Sequence, residues 1–139
     1  MKVATVDDGT TEKGIFSRVF GQGADWSHFS DFDQAEAAIT NGDFDDAQLI
    51  VLDMQLDEDD VAGWRLTEAL ETRKLKGSVV VLSVSEVQDV ICKCFRNGAS
   101  AYILKPGDDD ELEDVVRNLK IVGPRARSCI PQRGRSCLT

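Results

Sequence analysis

Five polar residues stand where short apolar runs end. Asp7 and Asp8 follow Lys2 to Val6, and Asp53 follows Leu49-Ile50-Val51-Leu52. Ser83 follows Val79-Val80-Val81-Leu82, and Lys105 follows Ala101-Tyr102-Ile103-Leu104. Three carboxylates held close together repel and push at least one pKa upward. A hard divalent cation removes that conflict, and Mg²⁺ is satisfied by a few carboxylates with waters and phosphate oxygens. A lysine adds a point charge for phosphate, and a serine hydroxyl donates to one of its oxygens. Together these groups make a site for an acyl phosphate on Asp53. Singly, each has a plainer reading: Asp7-Asp8 a solvated strand end, Asp53 a cap or turn former, Ser83 a turn residue, Lys105 a surface lysine. The elements that carry them decide between the two.

Leu49 to Asp53 is an unbroken apolar run, the pattern of a strand buried on both faces of a parallel sheet. Val79 to Ser83 repeats it, and Lys2 to Val6, Asp25 to Phe29 and Ala101 to Leu104 are further strand candidates. Helical spacing fills the intervals. Thr10 or Thr11 is expected to cap a helix with Ile15 and Val19 inward, and Asp31 to cap one over Phe32 to Ile39, stopped by Asn41-Gly42. Further helices are expected over Ala62 to Lys74 and Glu86 to Arg96. The last starts in Asp108-Asp109-Asp110-Glu111 and buries Leu112, Val115, Val116 and Leu119. Five β-then-α units imply an α/β fold, a doubly wound five-stranded parallel sheet with helices on both faces. In the order 2-1-3-4-5, strands one and three flank the switch point, and Asp7, Asp8 and Asp53 meet in one crevice.

At 139 residues the chain suits one domain. The net charge of −9 is uneven, because Arg125, Arg127, Arg133 and Arg135 lie in a stretch without acids. The 16 basic residues less those four leave 12 against 25 acidic in 1–122, a net of −13. Such a body repels nucleic-acid phosphates, so residues 1–122 are not expected to bind nucleic acid directly. No run reaches membrane-spanning length and the N-terminus lacks a signal-peptide plan, so a cytoplasmic protein is expected, with no membrane partner. Residues 123–139, rich in Arg, Ser and Pro, read as a disordered tail or truncated linker. The four cysteines lack C-x-x-C spacing and are expected to be reduced thiols. His28 reads as a strand residue, and Trp26 and Trp64 as packing residues.

Val6-Asp7-Asp8, Ile50-Val51-Leu52 before Asp53, Val81-Leu82-Ser83 and Gly98 to Pro106 (GASAYILKP) resemble the receiver domain of two-component response regulators, a flavodoxin-like fold. The resemblance covers about residues 1 to 122. It implies that Asp53 accepts a phosphoryl group from a sensor histidine kinase or phosphotransfer protein. It also implies that Asp7, Asp8, Asp53 and the backbone carbonyl of Gln55 bind Mg²⁺, and that Ser83 and Tyr102 form a switch pair. The output would pass through the face of the fourth helix, fifth strand and fifth helix to an effector protein or a missing effector domain. Dimerisation through the last two helices is common in such proteins, so a homodimer is a further expectation. The family often has a proline four residues after the acceptor and a glycine four further on. Here Asp57 and Val61 occupy those places and Gly63 comes two residues late, which implies a two-residue insertion within Asp57 to Ala62. Val84, bulkier than the small residue preferred after the switch hydroxyl, is expected to narrow access to the phosphate.

Two other functions compete. A haloacid-dehalogenase-type phosphatase also uses an aspartyl nucleophile and Mg²⁺, but needs an acid two residues later, where Gln55 stands. A non-phosphorylated protein-binding scaffold on the same fold is the other alternative, and the lengthened acidic loop keeps it open.

Overall fold

The computed structural model describes residues 1–59, 62–84 and 88–122. Its elements alternate throughout: β1 (Lys2–Val6), α1 (Thr10–Phe20), β2 (Asp25–Phe29), α2 (Phe32–Thr40), β3 (Leu49–Asp53), α3 (Ala62–Glu71), β4 (Ser78–Ser83), α4 (Gln88–Arg96), β5 (Ala101–Leu104) and α5 (Asp109–Val122). The five strands form one sheet in the order β2-β1-β3-β4-β5, every neighbouring pair parallel. This is the doubly wound fold expected from the β-then-α alternation. The reading of residues 123–139 as a tail, and of Glu86 and Val87 as the start of the fourth helix, falls outside the described residues.

The two faces of the sheet follow from a side-chain period of two along each strand. Val3, Leu49, Val51, Val80, Leu82 and Ala101 pack against Ile15, Phe16, Val19 and Phe20 of α1 and Leu112, Val116 and Leu119 of α5. Ala4, Val6, Ile50, Leu52 and Val79 cover the opposite face with α2 and α3. Val81 and Tyr102 extend that face beneath α4, with Met54. Every residue of β3 is buried. Burying a Leu, Ile or Val side chain is worth roughly 1.5–3 kcal/mol, so this central strand contributes heavily to the core.

Local signals set most boundaries. The Asp31 carboxylate accepts from the Gln34 amide at 2.7 Å and starts α2. Asp108 accepts from the amides of Asp110 and Glu111 and starts α5. Gly98, at a φ of +98°, ends the turn after α4 in a conformation that side chains resist. Three expectations need correction. Thr10 and Thr11 are helical residues and not caps; the N-cap of α1 is Gly9, which has no side-chain bond to offer. Helix α3 ends at Glu71 rather than Lys74, and the Arg73 amide closes the next turn on Leu70 O. Val115 is only half-buried, because Leu112, Val116 and Leu119 complete the inward stripe of α5 without it.

Candidate functional site

The period that sorts the core also sorts the polar strand ends. Val6 of β1 is opposite Leu52 of β3 in register, so Asp7 and Asp53 come next to each other one residue further on. Both share the strand face of Val3, Leu49 and Val51, towards α1 and α5. Lys105 follows β5 in step with Ala101 and Ile103, which belong to that same face. Ser83 and Tyr102 lie out of step with it and turn to the α4 side. The site thus has two halves, a charged one facing α1 and a hydroxyl one facing α4.

In the charged half, Asp7 and Asp53 are buried, at 1% and 4% exposure, while Asp8 is exposed. Asp7, Asp8 and Asp53 each present a carboxylate oxygen within 4.8 Å of the others. The Lys105 ammonium reaches Asp53 Oδ1 at 3.1 Å, Asp7 Oδ2 at 3.3 Å and Glu12 Oε2 at 3.3 Å. The Gly9 amide donates to Asp7 Oδ1 and the Gln55 amide to Asp53 Oδ1. Burial, and after it the charge of Asp53, pushes the Asp7 carboxyl up to about 7. Burial also raises Asp53, against the pull of Lys105 and the Gln55 amide. For Lys105, burial alone would lower the pKa, but Asp7, Asp53 and Glu12 together outweigh it and hold the ammonium above its ordinary value. One ammonium cannot neutralise three carboxylates, so the lysine gains from the arrangement while the buried acids keep a deficit. An all-oxygen donor set with that deficit fits a hard divalent cation.

In the hydroxyl half, Ser83 is buried and its Oγ accepts from Gln55 Nε2 at 3.0 Å. Tyr102 is fully buried; burial raises its phenol pKa, and its hydrogen bond to Ser83 opposes the rise. The two residues of the expected switch pair are therefore in contact, with Tyr102 turned inward. Val84, next in the chain after Ser83, is 71% exposed.

The loop after Asp53 is where the resemblance implies an insertion. Gly63 donates its amide to Met54 O at 2.9 Å, and a Cβ on it would lie 2.7 Å from both Asp53 O and Met54 Cα. That close approach requires glycine, and Gly63 supplies it despite its two-residue delay. The described part of this loop is a tight turn at Leu56 to Asp59. Leu56 and Asp59 exchange backbone hydrogen bonds, while Asp57 (φ +52°) and Glu58 (φ +65°) are both left-handed, as in hairpin turns of the I′ kind. Asp60 and Val61 lie outside the described residues.

Sequence reasoning missed Glu12 and Asp57. Glu12 stands in the first turn of α1, where an acid also has the plainer reading of complementing the helix N-terminus. Asp57 carried no signal, because its position depends on the turn. His28 is a strand residue, as expected. Its Nδ1 is 2.7 Å from Thr5 Oγ1, which also accepts from Trp26 Nε1. Trp64 packs against the α4 cluster beneath the ammonium of Lys93. Cys94 is free and buried, its thiol pushed up to about 12 by burial. The reading of Cys129 and Cys137 as reduced thiols falls outside the described residues.

The model of the response regulator receiver domain matches residues 3–117. No curated protein matches the chain. Among solved structures, the chain resembles the phosphorylated cyanobacterial phytochrome response regulator RcpA at 21% identity, over 94% of this chain and 98% of that one, with a TM-score of 0.76. It resembles the Mn²⁺-bound form of response regulator Rcp1 at 20% identity, over 86% and 91% of the two chains, with a TM-score of 0.71. A third is RPA3017, a response regulator in red light signalling of R. palustris, at 25% identity, over 94% and 98%, with a TM-score of 0.67.

Proposed function

Because the chain belongs to the response regulator receiver domain family, we propose that it is a phosphorylation-dependent signalling switch with Asp53 as acceptor. The observation that carries this reading is the pairing of a buried strand-end carboxylate, Asp53, with Lys105 at 3.1 Å inside a ring of acids suited to a cation. Receiver domains act with histidine kinases, so the donor is a phosphohistidine of a sensor kinase or phosphotransfer protein. An Asp53 carboxylate oxygen attacks phosphorus, the P–N bond breaks, and the departing imidazole keeps the electron pair. Asp7, Asp8, Asp53 and the Gln55 carbonyl would hold Mg²⁺, which would supply charge neutralisation for the incoming phosphoryl oxygens.

The chain's own residues then rearrange. Lys105 exchanges part of its contact with Glu12 and Asp7 for a phosphoryl oxygen. Ser83 gives up the Gln55 amide for another, and Tyr102 follows Ser83 because the two are bonded. Those moves reshape the face of α4, β5 and α5, where an effector protein, an appended effector domain or a second copy of the chain docks. Residues 1–122 form the switching domain and 123–139 a tail or linker. Among the described residues no helix is long and apolar enough to cross a membrane. We place the switch in the cytoplasm without direct nucleic-acid binding by 1–122.

Incubation with acetyl phosphate and Mg²⁺ tests the assignment by intact mass. Wild type is expected to gain one phosphoryl group and Asp53→Asn none. A wild type that gains nothing, or an Asp53→Asn variant that still gains it, overturns Asp53 as acceptor.

A further inference from the structure

The turn at Leu56 to Asp59 touches the candidate cation site directly. The Asp57 amide donates to Asp8 Oδ2 at 3.0 Å, so a carboxylate of the acidic set is held by the backbone of this turn. The Asp57 side chain points elsewhere: its Oδ2 accepts from the Phe32 amide at 3.0 Å, at the first residue of α2. The left-handed backbone at Asp57 and Glu58 allows one residue to present its amide to Asp8 and its carboxylate to α2. The direction suits the charges. The carboxylate lies at a helix N-terminus, where unpaired amides favour it, rather than adding a further negative charge to the crevice. Asp31 caps the same helix one residue earlier, so α2 begins between two carboxylates, one of its own and one from the turn.

We propose that Asp57 is a positioning residue that fixes Asp8 for the cation and ties occupancy of the site to the N-terminus of α2. The inference rests on the reading of Asp7, Asp8 and Asp53 as a cation site. Outer partners that orient a metal-bound carboxylate contribute to affinity without touching the metal. A cation that orders Asp8 also orders the amide bonded to it, and through Asp57 the first turn of α2.

Mg²⁺ titration of the full chain, followed by amide NMR, reads both halves of the proposal. Asp57→Gly keeps the amide and accepts the positive φ but loses the carboxylate; Asp57→Asn keeps a side-chain oxygen and tolerates the same backbone. In wild type, exchange of the Phe32 amide is expected to slow on Mg²⁺ addition. In Asp57→Gly, Mg²⁺ affinity falls roughly tenfold, the low end of what outer-shell losses cost, and Phe32 exchange no longer responds. Asp57→Asn restores both. Phe32→Pro removes the same bond from the donor side, since proline is accepted at a first helical position and Asp31 already has the extended backbone it requires. It carries the same loss of affinity if Asp57→Gly does not fold. Equal affinities for wild type and the bond-breaking variant, or failure of Asp57→Asn to restore the response, overturns the role of Asp57. A wild type that binds no Mg²⁺ overturns the cation site and the inference with it.

Discussion

Asp7 is buried beside a second carboxylate, Asp53, and both features oppose its charge. In the folded chain its carboxyl is raised from 3.8 to about 7. A group raised on folding stabilises the fold fully below its unfolded pKa, and that contribution is lost as pH climbs through the folded value. The window for Asp7 therefore runs from near 3.8 to about 7. Above it the cation-free protein carries the whole penalty. Asp7→Asn is expected to be the more stable protein at pH above about 7 in chelator, by on the order of 2 kcal/mol, with the difference vanishing below about pH 4. Thermal melts at the two pH values check this, and an equal gap at both would count against it. Glu12 competes for the lysine of the site, by occupying Lys105 and adding negative charge beside Asp7. Glu12→Gln is expected to speed phosphorylation by acetyl phosphate roughly two- to fivefold, the range that a partly exposed ion pair can supply. The gain should shrink at high salt. A slower reaction would show that Glu12 positions Lys105 rather than competes for it.

At the scale of elements, strand ends were legible and helix starts less so. β2, β3 and β5 begin and end where apolar runs and turn residues place them, because β-prone side chains and chain breakers act locally. The Asp31 cap was legible for the same reason. The start of α1 was not, since Gly9 has no side chain to announce a cap and the adjacent threonines do. The β3–α3 connection shows what local reading cannot see. The late arrival of Gly63 could be counted, but not the turn at Leu56 to Asp59 or the bonds from Asp57 to Asp8 and Phe32. Gly63 is where the chain must come back against β3. Gly63→Ala would drive a Cβ into the backbone of Asp53 and Met54, and a loss of about 1–3 kcal/mol in urea denaturation is expected. A neutral effect would mean that α3 can lift from β3 without cost.

At the scale of the molecule, three acids and one lysine at the switch point of the sheet make folding and cation binding a linked pair. A ligand that binds only the folded state raises stability by mass action, about 2.7 kcal/mol at one hundred times its Kd. Mg²⁺ is therefore expected to raise the melting temperature of wild type above that in chelator, and to leave Asp7→Asn unmoved. A wild-type melting temperature indifferent to Mg²⁺ would argue against the site. By itself the sequence determined the five alternating units, the buried central strand and the polar residues at strand ends. Those depend on periodicity and on turn chemistry, which are local. Which face each polar residue takes was decided only by the tertiary structure. Strands buried on both faces read as unbroken apolar runs, and such runs hide their parity. Pairing register removes that ambiguity, bringing Asp7, Asp53 and Lys105 together towards α1 while Ser83 and Tyr102 meet beneath α4. The reach of Glu12 to Lys105 and of Asp57 to Asp8 follows from the same cause, because each spans residues that only folding brings within hydrogen-bond distance.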